Sequence, residues 1–154
     1  MGPIEKVAVI GAGNMGSGIA QKSAQERFMV QMVDREPEWV ERGQGIVSSF
    51  LDEAEKRRIF NPKQVEEIKS RISGIVGTEN VDPNTDLVIE AVFEDFDVKK
   101  SVFETLNRVC GDSTILASNT SSLSVNKLAK VTGCLLYTSP SPRDLTTSRM
   151  PSSA

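Results

Sequence analysis

The sequence predicts an α/β domain built on a doubly wound, mainly parallel sheet. Three observations carry that prediction. Short β-branched runs alternate with helix-period segments, a glycine-rich turn joins the first strand to the first helix, and an aspartate closes the second strand.

The elements follow in order. Lys6 to Ile10 (KVAVI) is a β-branched run closed by Gly11 and reads as a buried strand. Met15, Ile19 and Ala24 recur near helical spacing with Ala20 alongside, and Phe28 to Val33 (FMVQMV) resumes strand character before Asp34. Together they make a β-α-β unit. From Glu38 to Phe60, Val40, Gly43, Val47, Phe50 and Ala54 repeat every three or four residues and predict a long amphipathic helix. Asn61-Pro62 then offers an N-cap followed by proline at the first helical position. With Gln64 it forms a capping-box pattern ahead of Val65, Ile68 and Ile72. The two helices predict an inserted helical hairpin.

After Gly74 come a short Ile75-Val76 strand, a turn at Asp82-Pro83-Asn84 and the apolar strand Asp86 to Ala91 (DLVIEA). Val98, Val102, Leu106 and Val109 line one face of a helix over Asp97 to Val109, Gly111 stands where a C-cap glycine belongs, and Thr114 to Ala117 (TILA) is the next strand.

Composition sets the outer bounds. With 154 residues, 38% hydrophobic and 25% charged, the chain has the material for one globular domain with a real core. A net charge of −3 gives no broad electrostatic reason for a nucleic acid or an anionic membrane as partner. No run approaches the roughly 18 apolar residues of a membrane span, and the start of the chain leads directly into strand character, so the expected location is cytoplasmic. Cys110 and Cys134 have neither disulfide-framework nor metal-ligand spacing, and the sequence contains no His, so no metal site is expected.

Composition changes at residue 134. CLLYTSPSPRDLTTSRMPSSA is crowded with Ser, Thr and Pro and has no apolar periodicity. Cys134 to Asp144 reads as a translated frame of the transposase adapter used in sequencing libraries, and Ser148 to Ala154 fits the flow-cell end of that adapter. The domain expectation is therefore a nucleotide-binding domain over 1–133 and a disordered tail of adapter origin over 134–154.

The chemistry begins at Gly11-Ala12-Gly13-Asn14-Met15-Gly16. This G-x-G-x-x-G lies between a strand and a helix, the context that gives an otherwise weak motif its meaning and makes the predicted fold Rossmann-type. Gly11 permits the tight turn, Gly13 lets the backbone approach a pyrophosphate, and Gly16 lets the helix pack close to the strand. The unpaired N–H groups at Asn14 and Met15 and the partial positive charge of the helix N-terminus let an acidic protein hold a dianion without a basic patch. Asp34, eighteen residues past Gly16, can accept both hydroxyls of an adenosine ribose. It selects NAD over NADP, because a 2′-phosphate about 4 Å away would be repelled by roughly 4 kcal/mol at an effective dielectric near 20. Arg35 could offset part of that. A merely structural glycine turn and a strand-ending Asp are the plainer alternatives.

The turn GAGNMGSGIA, with IEAVFEDFDVKKSVF and ILASNTSSLSVNKLA, resembles the 3-hydroxyacyl-CoA dehydrogenase family over essentially all of the chain before residue 134. That resemblance implies a step of fatty acid β-oxidation, the oxidation of the 3-hydroxyl of an acyl-CoA to a ketone with hydride passing to NAD. It places Glu94 and Lys99 beside the nicotinamide, Asn119 on the cofactor, Ser121 on the substrate's 3-oxygen, and Ser49 and Lys56 on CoA. Both loops follow strands, so they emerge where doubly wound sheets bind ligands. Seven residues, nearly two helical turns, put Ser49 and Lys56 on one face. Taken without the family, Glu94 and Lys99 read as solvated helix-entry charges, Asn119 to Ser122 as a capping loop with Ser122 or Ser124 as the cap, and Lys56 as a solvated cation.

The same resemblance implies a general-base His shortly beyond Gly133, a partner Glu, and a mostly helical C-terminal substrate domain. None of the three is present in this chain. The fragment is expected to be inactive alone, and to be monomeric where full-length relatives are homodimers. The alternatives are a noncatalytic NAD-binding module and, less compatible with Gly16 and the SNTSS loop, a methyltransferase.

Overall fold

The computed structural model describes residues 2–133 and 136–138. Strand β1 (Lys6–Ile10) leads into helix α1 (Asn14–Gln25) and strand β2 (Met29–Asp34). Helices α2 (Pro37–Lys56) and α3 (Pro62–Ser70) form the hairpin, followed by β3 (Ile72–Val76), a 3-10 turn at Thr78–Asn80, β4 (Leu87–Glu90), α4 (Phe96–Val109), β5 (Ile115–Ser118), α5 (Val125–Thr132) and β6 (Leu136–Thr138).

The sheet has six strands in the order β3-β2-β1-β4-β5-β6, and every pair is parallel. The chain runs outward from β1 through β2 to β3, then crosses back to β4 on the other side of β1. That reversal is the topological switch point where sheets of this kind open a crevice at the carboxyl ends of their strands.

Both faces of the sheet are covered, and the strands alternate between them. Val7, Val9, Val30 and Met32 pack with Ala20 and Ala24 of α1, Leu51 of α2 and Ile68 of α3. Ala8, Ile10, Val33 and Val88 pack with Phe103 and Leu106 of α4 and Leu128 of α5 on the opposite face.

Several expectations shift. On α1 the buried face is Gly16, Ser17, Ala20 and Ala24, whereas Met15 is 60% exposed. Small residues let this helix sit closer to the sheet than a Met face would. On α2, Leu51 is buried and Phe50 is 61% exposed. The helix also ends at Lys56, where Arg58 takes φ +58° and turns the chain into the hairpin loop. The capping box at α3 forms as expected: Asn61 Oδ1 accepts from Gln64 N–H and Gln64 Oε1 from Asn61 N–H, both at 2.9 Å. Ile72, expected on α3, begins β3.

Gly111 is not a left-handed cap. Helix α4 ends on an extended Cys110, and the Gly111 N–H donates to Pro83 C=O. Within the expected tail, Leu136–Thr138 form β6 beside β5, and the remainder of 134–154 lies outside the described residues.

Candidate functional site

The glycine turn occupies the centre of the carboxyl edge. Gly11 has φ +110°, and a Cβ there would stand 2.5 Å from Ala91 C=O. At Gly16 a Cβ would lie 1.7 Å from Gly11 C=O, so no side chain fits between turn and helix. Gly13 differs: a Cβ would meet nothing within 4 Å, which leaves open space directly above the turn.

Helix α1 begins there without a side-chain cap and without an acid in its first turn, so its leading N–H groups and partial positive charge are free for an anion. Helices α3, α4 and α5 are each capped, by Asn61, Asp95 and Ser124. Ser124 is thus the cap of α5, and Ser122 is engaged elsewhere.

Asp34 stands at the end of β2, half-buried, with Oδ2 accepting from Ala12 N–H at 2.7 Å and Oδ1 from Arg35 N–H at 2.7 Å. The carboxylate is held rigidly over the turn, and its remaining lone pairs are open to a ribose. Arg35 stacks on Trp39 at 5.2 Å from the ring centroid and lies 4.0 Å from Glu36. These residues fit a dinucleotide: a bare helix start, an open approach at Gly13 and a half-buried acid at the end of β2 with acceptor capacity to spare.

On the other side of the switch point lies a feature that sequence reasoning missed. Glu90, the last residue of β4, is 0% exposed, and Lys99 of α4 is 1% exposed. The Lys99 ammonium donates to Glu90 Oε1 and Oε2 at 2.9 and 2.7 Å and to Val92 C=O at 3.3 Å, and it lies 3.3 Å from Glu94 Oε1. Ser118, at the end of β5, donates to Glu90 Oε1 at 2.8 Å. Lys99 is therefore not a solvated helix-entry charge. The signal available in the sequence was Glu90 itself, a carboxylate inside an apolar strand, which has to find a partner when both faces of the sheet are covered.

Glu94 is on the rim, its side chain 43% exposed. Its Oε2 accepts from Thr120 Oγ1 at 2.8 Å and Ser122 Oγ at 2.6 Å. Burial pushes its carboxyl up, but the two hydroxyls and the Lys99 ammonium outweigh that and hold it below its ordinary value. The β4–α4 and β5–α5 loops are thereby tied together. Between them Asn119 and Ser121 are exposed, and their side chains have no hydrogen-bond partner among the described residues.

Ser49 lines a groove of about 640 Å³ with Asn14, Arg42, Ile46, Phe50 and Glu53. Lys56 lies two turns past Ser49 on α2 and does not line the groove. Arg42, unremarked in the sequence, is exposed there and makes no hydrogen bond or ion pair among the described residues.

The profile of the 3-hydroxyacyl-CoA dehydrogenase NAD binding domain matches residues 6–134. The chain belongs to the 3-hydroxyacyl-CoA dehydrogenase family. Within that family it is 41% identical over 132 residues to a Bacillus subtilis protein named "Probable 3-hydroxybutyryl-CoA dehydrogenase", covering 84% of this chain and 45% of that protein. It is 39% identical over 134 residues to the mitochondrial hydroxyacyl-coenzyme A dehydrogenase of Sus scrofa, covering 84% and 43%. The crystal structure of (S)-3-hydroxybutyryl-CoA dehydrogenase from Ralstonia eutropha superimposes with a TM-score of 0.80 at 38% identity, covering 84% of this chain and 46% of that one. The chain thus spans under half the length of these family members, and the matched part is the family's NAD-binding, Rossmann-type domain. Among the described residues no helix is long and apolar enough to cross a membrane.

Proposed function

We propose that this chain is the nucleotide-binding half of an NAD-dependent 3-hydroxyacyl-CoA dehydrogenase, which oxidises the 3-hydroxyl of an acyl-CoA to a ketone. The observation that carries the reading is Asp34 held 2.7 Å from Ala12 N–H, above an uncapped helix start. NAD, when bound, supplies the hydride acceptor.

In this reading Gly11, Gly13 and Gly16 shape the pyrophosphate seat, the N–H groups of Asn14 and Met15 meet its charge, and Asp34 takes the adenosine ribose hydroxyls. The adenosine half then lies toward β2, which sends the nicotinamide toward β4 and β5. Glu94 and Asn119 border it, Lys99 acts there through Glu94, and the Ser121 hydroxyl donates to the substrate's 3-oxygen. Ser49 and Lys56 receive CoA along α2, with Arg42 about two turns before Ser49 on the same helix. The sequence supplies no imidazole, so these residues bind and orient and do not remove the hydroxyl proton.

A second reading, in which the chain binds NAD without catalysis, rests on the uncapped start of α1 and on Asp34 alone. In either case we place the chain in the cytoplasm.

Titration with NADH, followed by nicotinamide fluorescence, is expected to saturate at one site per chain and to be insensitive to S-adenosylmethionine. Displacement by S-adenosylmethionine, or no saturable NADH binding, would overturn the dinucleotide reading.

A further inference from the structure

The buried Glu90–Lys99 pair is more costly than the fold requires. Two charges taken out of water lose hydration that their attraction rarely restores in full, and apolar replacements of similar volume often match or exceed the stability of such a pair. The helix α4 face that carries Lys99 otherwise packs through Phe103 and Leu106, so an apolar residue at 99 would suit the core equally well.

The bonds run instead toward the site. An ammonium has three protons. Those of Lys99 go to both Glu90 oxygens and to Val92 C=O, and Glu94 Oε1 lies 3.3 Å away as a second ion-pair partner. Glu90 also accepts from Val92 N–H at 2.8 Å and from Ser118 Oγ at 2.8 Å. Ser118 Oγ in turn accepts from Thr120 N–H at 3.2 Å, and the Asn119 N–H donates to Glu90 C=O at 2.8 Å. The carboxylate thus fixes the backbone of one loop directly at Val92 and of the other through Ser118 at Thr120, while the Asn119 bond is made by the Glu90 main chain.

We propose that Glu90 is a positioning residue for the nicotinamide half of the site, acting through Lys99 to hold Glu94 and through Ser118 and Thr120 to hold the loop that carries Asn119. The inference rests on the dinucleotide reading above.

The test separates the two halves of the ligand. Glu90→Gln strands a buried ammonium, so it is paired with the double variant Glu90→Gln/Lys99→Met, which removes both charges, and folding of each is checked by circular dichroism. Wild type and variants are titrated with NADH and with ADP-ribose, which lacks the nicotinamide. The double variant is expected to bind ADP-ribose as wild type does and NADH about tenfold more weakly, the loss of one well-placed polar contact. Unchanged NADH affinity in the folded double variant, or equal loss for both ligands, would overturn the proposal. Failure of the wild type to bind ADP-ribose would instead bring down the dinucleotide reading, and this proposal with it.

Discussion

The Asp34 carboxylate accepts a hydrogen bond from the Ala12 N–H at 2.7 Å, joining the end of β2 to the middle of the glycine turn. This bond fixes where the acid stands relative to any phosphate on the turn. A 2′-phosphate about 4 Å from it would be repelled by roughly 4 kcal/mol at an effective dielectric near 20, or nearly three decades in affinity. Arg35, which sequence reasoning offered as a partial offset, is stacked on Trp39. NADH is therefore expected to bind at least about a hundredfold more tightly than NADPH. Equal dissociation constants in parallel fluorescence titrations would sink this assignment.

Two glycines of the turn should respond oppositely to alanine. At Gly16 the added Cβ meets Gly11 C=O at 1.7 Å, backbone against backbone, so Gly16→Ala is expected to cost about 3 kcal/mol or more in urea denaturation. At Gly13 the Cβ meets nothing, and Gly13→Ala should cost only about 1 kcal/mol as a poorer N-cap. Its effect should appear in NADH affinity, since the methyl fills the pyrophosphate's approach. A Gly13→Ala variant that binds NADH normally would show that the ligand does not use this turn.

Lys99→Met leaves the Glu90 carboxylate buried beside Ser118 without its cation. Breaking a buried pair from one side costs about 3–5 kcal/mol, so this variant should unfold at much lower urea concentration than wild type. Removing both charges, in Glu90→Gln/Lys99→Met, should recover most of that loss. A double variant less stable than the single one would mean that the pair itself, and not its imbalance, sustains the fold.

These residues also mark the boundary of what the sequence made legible. The strand, glycine turn, helix, second strand and Asp34 were readable because each is a local signal, and the structure places them as expected. The capping box at Asn61 and Gln64 is equally local. Lys99 was misread because a lysine at a helix start is ordinarily solvated, and its partner Glu90 belongs to a different element whose approach only the folded sheet decides. The buried faces of α1 and α2 were displaced for a related reason. Periodicity tolerates a shift by one residue, and Leu51 replaces Phe50 at no cost to the pattern. The strand Leu136–Thr138 lacked any signal beyond a short apolar run inside a Ser- and Pro-rich stretch.

Acidification should loosen the rim of the site at Glu94. The Glu94 carboxyl is held below its ordinary value, so its ties to Lys99, Thr120 and Ser122 stabilise the folded state above the ordinary carboxylate range and are lost as pH falls through the lowered value. Protonated Glu94 resembles a carboxamide. Wild type and Glu94→Gln should therefore differ in stability at neutral pH and converge as acid is added, measured by urea denaturation across the series. A gap that stays constant down to the most acidic folded sample would remove Glu94 as the titrating group.

Turnover is where the proposed activity and the residues in this chain part. In the proposed reading a dinucleotide lies between Asp34 and Glu94 and the Ser121 hydroxyl meets the substrate, but these 154 residues hold no His to move the substrate's proton. A positioned general base contributes about 10²- to 10⁴-fold in rate. Purified chain is therefore expected to show negligible oxidation of NADH in the presence of acetoacetyl-CoA, while still binding NADH. Rates comparable to those of a full-length family member would require a base among these 154 residues other than imidazole, and would direct attention to the exposed Glu94 carboxylate.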